Sequence, residues 1–383
     1  MGRLGINKMK LLFLLGSRGE WGYIKPLIEI CKKQKIKYSI CATNMVLLPN
    51  YGSLIKEVKK NYHVSDEIYM ALEGSNHYVM TKSLGIFLSS FIDVIKRQKP
   101  SWIVLAGDRG EQLMGAVAGA YTYTPVAHIQ AGERSGNIDG VARHSLSKLA
   151  HLHFTSNNDA EKRLIKMGEE KHRIFNTGAP QIDDMKKIKF KDEYISKHLN
   201  INTKKSFILV VMHPVTEEYG LAENQVKILI DSLNSVKKKK IWILPNIDAG
   251  ADLIRKTLIE NRNSDTLIFK NLSREIYLTL LRRSKLIIGN SSSGILEAPS
   301  YSLPAINLGR RQINRVQARN VINSEFKKEK ILLAINKATS NKFIRSCKNI
   351  KNPYGDGSSS KRIIEILKKT IIDDKILVKN ITY

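Results

Sequence analysis

Cysteine is scarce: the 383 residues hold only Cys31, Cys41 and Cys347. No two of them form a C-x-x-C pair, which excludes a cysteine-based metal site of the common kind. An odd number at wide spacing fits reduced thiols in a cytosol rather than a disulfide framework. Cys31 and Cys41 fall in an apolar helix-strand region and read as core. Long apolar runs are missing too. No stretch approaches the roughly 18 apolar residues that span a bilayer. Leu11 to Leu15, preceded by Lys8 and Lys10 and ended by Gly16-Ser17-Arg18, is too short for an export signal. Met1-Gly2 opens like a myristoylation site, but Ile6 stands where Ser or Thr is required. A soluble, cytoplasmic protein is expected.

Acidic residues are in deficit, with 35 Asp and Glu against 63 Lys and Arg and a formal charge of +28. Such an excess invites nucleic acid. The lysines are scattered, however, and the one tight run, Lys237 to Lys240, sits just before an expected strand. No aromatic residues interleave with them as a stacking platform requires. A lysine-rich surface that suits an anionic substrate is the reading retained, with no nucleic-acid or membrane partner. Two nucleotide signatures are also absent. No G-x-x-x-x-G-K-[ST] occurs, which disfavours a P-loop nucleotidase. Glycines at 16, 19 and 22 miss the G-x-G-x-x-G spacing of a nicotinamide dehydrogenase.

What the chain does have is an ordinary globular mix, 42% hydrophobic and 26% charged, at a length suited to two domains. Short apolar runs alternate with longer amphipathic stretches, the rhythm of α/β architecture with parallel sheets. Strands are predicted at Lys10–Leu15, Lys37–Ala42, Trp102–Ala106, Val126–Ile129 and His151–Thr155, with helices at Tyr23–Gln34, Glu111–Tyr121 and Ala160–Met167. The rhythm restarts with strands at Phe207–Met212, Ile241–Leu244, Thr266–Phe269, Lys285–Ile288 and Ala305–Leu308. Its helices are predicted at Glu223–Val236, Asp252–Asn261, Arg274–Arg283 and Gly294–Tyr301. The polar stretch Lys186–Lys205 is the linker candidate. It divides the chain into Rossmann-like domains 1–185 and 186–383, with the last helix able to pack back on the first. Two doubly wound domains facing a cleft are expected.

Ligands of such sheets bind beyond the carboxyl ends of the strands. The residues there are polar and glycine-rich: Gly16-Ser17-Arg18, Gly107-Asp108-Arg109, Gln130-Ala131-Gly132-Glu133, His213-Pro214, Pro245-Asn246 and Gly289-Asn290-Ser291-Ser292-Ser293-Gly294. The serine turn joins a strand to a helix, where free amides and the helix dipole favour phosphate. A serine N-cap needs only one or two of these residues. Glu297, one turn on, is placed to reach a ribose hydroxyl or to be an ordinary solvated residue. Arg18 is a phosphate ligand or a surface ion-pair partner. Asp108, Glu133 and Asp139 suit acid-base work if they face one cleft. Taken singly they also suit caps or ion pairs, and Asp139 is placed to cap the helix carrying Arg143 and His144. His213 is a candidate phosphate ligand or proton shuttle. His151 and His153 have no third partner for a metal.

Gly107-Asp108-Arg109, His128-Ile129-Gln130-Ala131-Gly132-Glu133, Ile138-Asp139 and Arg143-His144-Ser145 resemble the hydrolysing UDP-N-acetylglucosamine 2-epimerases of sialic-acid biosynthesis. So do His213-Pro214-Val215-Thr216, Pro245-Asn246-Ile247-Asp248-Ala249-Gly250, Asn290-Ser291-Ser292-Ser293-Gly294 and Gly309-Arg310-Arg311-Gln312. These matches run in order from Gly16 to about Asn320. The resemblance implies a glycosyltransferase-B fold, with the sugar and catalytic carboxylates in the first domain and UDP in the second. It implies elimination of UDP to a glycal and then hydration on the opposite face of C2. Neither cofactor nor metal is implied, and a homodimer is.

Carried over, Asp108, Glu133 and Asp139 form the catalytic set. Arg18, His213, Asn246, Ser291, Ser292, Glu297 and Arg311 form the nucleotide set, and Arg109 and Arg143 steady the sugar or the carboxylates. The chain departs from relatives at Gln130, where many carry Glu, at Gly22, where some have Ser, and at Asp252, where some have Lys. These changes leave room for UDP-N,N′-diacetylbacillosamine, the sugar of legionaminic-acid synthesis, as the alternative substrate. A sugar-transferring enzyme of the same fold would explain the nucleotide set, but it needs an acceptor and no three carboxylates.

Overall fold

Each apolar run of the alternating pattern becomes a parallel strand. The computed structural model describes residues 9–74, 76–185 and 188–382. The first sheet contains β1 (Lys10–Leu15), β2 (Lys37–Thr43), β3 (Asp66–Ile68), β4 (Trp102–Ala106), β5 (Val126–Ile129), β6 (Leu152–Thr155) and β7 (Ile174–Asn176). The second contains β8 (Phe207–Val211), β9 (Lys239–Ile243), β10 (Thr266–Phe269), β11 (Leu286–Gly289), β12 (Ala305–Leu308) and β13 (Val321–Ser324). Their orders are β3-β2-β1-β4-β5-β6-β7 and β10-β9-β8-β11-β12-β13, all parallel. Both are doubly wound as expected. In each, the strand order reverses beside the first strand, between β1 and β4 and between β8 and β11, where such folds open a binding crevice.

Helices cover both faces of each sheet, which is why the strands read as continuous apolar runs rather than alternating ones. Leu11, Phe13 and Leu15 pack with the helices Arg18–Gln34 and Ser359–Lys369. Leu12 and Leu14 face the helices His77–Gln98, Gly110–Tyr121 and Ile138–Leu149 on the other side. Ile363, Ile364 and Leu367 thus return the end of the chain to the first sheet's core. In the second sheet, Leu209 and Val211 face one cluster and Ile208 and Val210 the other.

Several expectations change. The helix predicted from Tyr23 starts at Arg18, because Ser17 and Glu20 form a capping box. Asp139 is not a cap; Asn137 holds that position and Asp139 lies in the first turn of Ile138–Leu149. The helix predicted over Gly294–Tyr301 is split into Ser293–Leu296 and a 3-10 turn, Ala298–Tyr301, around Pro299. The linker candidate contains a helix, Asp192–Leu199, whose Ile195 is buried in the second sheet's core. Lys186, Lys187, Met1, Gly2 and Ile6 lie outside the described residues. The helix His77–Gln98 has the length and apolar composition of a membrane span. Phe87, Phe91, Val94 and Ile95 are spent on the first sheet's core, while Ile86 and Ile92 face outward.

Candidate active site

The carboxyl ends of both sheets converge on one cleft of about 1340 Å³, measured out to its open mouth. Arg18, Asp108, Arg109, Asp139, Arg143, His213, Asn246, Ser291, Ser292, Glu297 and Arg311 all line it. Glu133 does not. The cleft is drawn shut by bonds across it. Arg18 donates to the carbonyls of Leu244 and Lys270, both at 2.8 Å, and the Gly136 amide donates to the Arg311 carbonyl at 2.9 Å. A Cβ at Gly136 would lie 1.9 Å from the Arg310 carbonyl oxygen, so this approach requires glycine.

Four carboxyl groups line the cavity, Glu20, Asp108, Asp139 and Glu297, and of these Asp108 and Asp139 titrate apart. Burial alone would raise the Asp108 carboxyl, but the Arg143 guanidinium paired with it and the Ser135 hydroxyl donating at 2.9 Å hold it below the usual range. Among the described residues no cation is paired to Asp139. Burial, with the nearby Asp108 and Asp248 charges, pushes its carboxyl up to about 7. One is therefore a standing carboxylate and the other gains or loses a proton near neutrality, the separation that divides base from acid.

Glu133 lies behind this wall, 2% exposed. One oxygen accepts from Asn157 and the other pairs with Arg315 at 3.1 Å, and it is Arg315 that reaches the cavity. Removing one partner of a buried ion pair leaves an uncompensated charge, which costs about 3–5 kcal/mol. Glu133→Ala is therefore expected to lower the urea midpoint of unfolding sharply. An unchanged midpoint would show that Arg315 is compensated without Glu133.

Six arginines line the cavity, and their partners sort them. Arg109 is tied to Glu111 and Asp248, Arg143 to Asp108, Arg274 to Asp184 and Glu297, and Arg315 to Glu133. Among the described residues Arg18 and Arg311 meet only neutral acceptors: Arg18 has two carbonyls and Asn246, and Arg311 the Asn290 carbonyl. The Arg311 Nε is buried without a partner. These two carry the positive charge left free for a ligand anion.

Two glycine-rich strand-to-helix turns border the cavity, one at Gly16-Ser17-Arg18 and one at the serines. At the first, the Glu20 carboxylate already accepts from the amides of Gly16 and Ser17, at 2.6 and 3.0 Å, so the protein fills its own site. At the second, the amides of Ser291 and Ser292 and the Ser292 hydroxyl have no protein partner among the described residues, and both serines line the cavity. His213 stands beside this turn. Its Nδ1 accepts from the Asn246 amide at 3.3 Å, leaving Nε2 as the donor. Burial and the Arg311, Arg18 and Arg109 charges hold it well below its usual range, so it is a neutral donor rather than a cation. Asn290 fixes its backbone from both sides at 2.7 Å.

Gln130, in place of the Glu of many relatives, sits in the left-handed region at φ 61° with its carbonyl accepting from Arg143 at 2.9 Å. His151 and His153 are taken up by the Val126 amide and by Glu169. No role was legible in the sequence for Glu20, Tyr23, Arg274, Tyr277 or Arg315, all of which line the cavity. The capping-box spacing of Ser17 and Glu20 was the one local signal available. Arg274 and Arg315 are recognisable only through the distant carboxylates they meet.

A family model described as UDP-N-acetylglucosamine 2-epimerase matches residues 28–368. A Legionella pneumophila protein named UDP-N,N′-diacetylbacillosamine 2-epimerase (hydrolyzing) is 33% identical over 374 residues, 97% of this chain and 98% of its own. A Neisseria meningitidis protein named UDP-N-acetylglucosamine 2-epimerase is 31% identical over 334 residues, 86% of this chain and 88% of its own. The crystal structure of UDP-GlcNAc 2-epimerase from Neisseria meningitidis bound to UDP-GlcNAc matches with a TM-score of 0.80, covering 94% of this chain and all of that one. At 20% identity that likeness is one of fold, the glycosyltransferase-B arrangement of two Rossmann-like halves.

Proposed function

Because the chain belongs to the UDP-N-acetylglucosamine 2-epimerase family, we propose that it hydrolyses a UDP-linked 2-acetamido sugar, releasing UDP and the free sugar inverted at C2. The observation that carries this reading is the presence in one cavity of a standing carboxylate, Asp108, and a carboxyl poised near neutrality, Asp139. Asp108 takes the proton from C2 as the C1–O bond breaks and UDP departs, leaving a glycal. Asp139 then returns a proton to C2 from the other face, and water adds its hydroxyl to C1. The proton left by water restores Asp139, and Asp108 passes its own to UDP or solvent. Inversion needs two proton-handling groups, and a single carboxylate on one face would restore the starting configuration. Glu133 enters indirectly, by holding Arg315 against the cavity.

Residues 186–383 hold most of the nucleotide in this reading, and residues 1–185 carry the sugar, the carboxylates and Arg18. Arg18 and Arg311 neutralise the diphosphate, while Ser291, Ser292 and the His213 Nε2 donate to it. Asn246 and Glu297 complete the nucleotide set, and Arg109 and Arg143 hold the carboxylates around the sugar. Hydrogen bonds to charged groups contribute about 1.5–3 kcal/mol each. The Ser291→Ala, Ser292→Ala double variant is therefore expected to bind UDP at least about tenfold more weakly by calorimetry. Unchanged affinity in the folded variant would remove the turn from the site.

UDP-N-acetylglucosamine, yielding N-acetylmannosamine for sialic-type acids, is the first substrate reading. UDP-N,N′-diacetylbacillosamine is the second, favoured by the name of the Legionella relative. Product analysis by NMR in D2O, with each sugar and without metal or nicotinamide, tests both. UDP and the 2-epimerised free sugar are expected in equal amounts, with one deuterium at C2. An epimer still joined to UDP would overturn hydrolysis, and UDP release that needs an acceptor would indicate a transferase. A cytoplasmic homodimer completes the proposal. The buried free cysteines suit a reducing compartment, and sedimentation analysis reads the oligomeric state.

A further inference from the structure

Tyr23 lines the cavity from the second turn of the helix Arg18–Gln34. Its ring lies beside the backbone at Gly107, where an added Cβ would be 3.5 Å from Cε2. That glycine directly precedes Asp108. Of the charges that act on the phenol, that of Asp108, the carboxylate assigned to C2, acts most, followed by those of Arg315, Arg143 and Glu297. Yet among the described residues its hydroxyl bonds to no protein group, although it is not sealed away from the cavity. A phenol in a polar cavity, with its ring packed and its hydroxyl uncommitted, is a donor waiting for an acceptor.

We infer that the Tyr23 hydroxyl donates to the carbonyl oxygen of the substrate's 2-acetamido group and so selects 2-acetamido sugars over 2-hydroxy sugars. The inference rests on the proposed reaction, which puts C2 beside Asp108. The acetamido carbonyl is the neutral acceptor attached to C2 in both candidate sugars, whereas a 2-hydroxyl offers a smaller group closer to the ring. Burial and the adjacent Asp108 charge push the phenol up to about 12, so it remains a donor throughout the working pH range and carries no proton-transfer step. The site requirement is thus positional: the same residue that fixes the acetamido group holds the C2 hydrogen toward Asp108.

Tyr23→Phe retains the ring against Gly107 and removes only the donor. The test measures affinity and turnover with UDP-N-acetylglucosamine, and affinity for UDP-glucose and for UDP, in wild type and variant, with a thermal melt for each. The expected result is about a tenfold loss of kcat/KM and of affinity for UDP-N-acetylglucosamine, with UDP and UDP-glucose affinities unchanged within about twofold. Discrimination between the two UDP-sugars then falls by the same factor. A folded variant that binds and turns over UDP-N-acetylglucosamine like wild type overturns the inference while the proposed reaction stands. Equal losses for all three ligands also overturn it, because they place the hydroxyl on the nucleotide or on the fold. A wild type that releases UDP from neither acetamido sugar overturns the proposed reaction, and this inference with it.

Discussion

Asp108→Asn is expected to slow UDP release by at least about a hundredfold, the usual scale for loss of an acid-base group. The replacement keeps the shape of the side chain and an acceptor for the Ser135 hydroxyl, which donates at 2.9 Å in the native protein. It removes the charge that Arg143 holds in its ionised form. Arg143 keeps the Gln130 carbonyl as an acceptor, so a folded variant is expected, though less stable than wild type. In the proposed reaction the nucleotide is gripped from elsewhere, by Arg18, Arg311 and the serine turn, and UDP affinity should change by no more than about threefold. A single-turnover experiment should then show neither UDP nor glycal, because the first proton is never taken. Near-normal UDP release by a folded variant would reduce Asp108 to the anchor of Arg143 and leave proton abstraction to another group.

That Asp108 could be singled out at all follows from the way parallel sheets write themselves into a sequence. Strands buried on both faces, such as Leu11–Leu15 and Phe207–Met212, are uninterrupted apolar runs, and the first polar residues after them mark the end of the sheet where ligands bind. Gly107-Asp108-Arg109, His213 and the serine turn were legible for that reason. Three strands were not. β3 and β13 are three- and four-residue edge strands, β7 closes the other edge of the first sheet, and each is partly exposed and too short to carry a pattern. The helix Asp192–Leu199 hid in a lysine-rich stretch because a single buried residue, Ile195, ties it to the core.

Site roles were legible only where one residue suffices to define them. Arg18 and Arg311 stand out because among the described residues they meet no carboxylate partner, and that is a property of the folded neighbourhood. The Gly16-Ser17-Arg18 turn and the serine turn are both glycine-rich strand-to-helix turns in sequence. Only the geometry puts the Glu20 carboxylate in the first and leaves the second open. Glu133 follows β5 as Asp108 follows β4, yet it turns away from the cavity toward Asn157 and Arg315. A strand-end position fixes which end of the sheet a residue occupies, while its direction is set by partners distant in the chain. Arg315 is 182 residues from Glu133.

Asp139→Asn should separate the second step from the first. In the proposed reaction Asp139 carries the proton that C2 receives on its new face, and an amide cannot supply it. UDP release in the first turnover should therefore survive while the glycal accumulates, and steady-state formation of the epimerised sugar should fall by about a hundredfold or more. The pH profile gives an independent signature. Burial and the neighbouring Asp108 and Asp248 charges put the wild-type carboxyl at about 7. Since the acid form is the one required, hydration should decline as pH rises through that value, and the decline should vanish in Asp139→Asn. Stability supplies a sign check on the same group. A carboxyl raised above its unfolded value near 3.9 contributes most below that pH and loses its contribution as pH rises through 7. The wild type should therefore lose stability relative to Asp139→Asn between about pH 4 and 7. Should glycal fail to accumulate while UDP release also stops, Asp139 belongs to the elimination step, and the proton for the new face must come from elsewhere in the cavity.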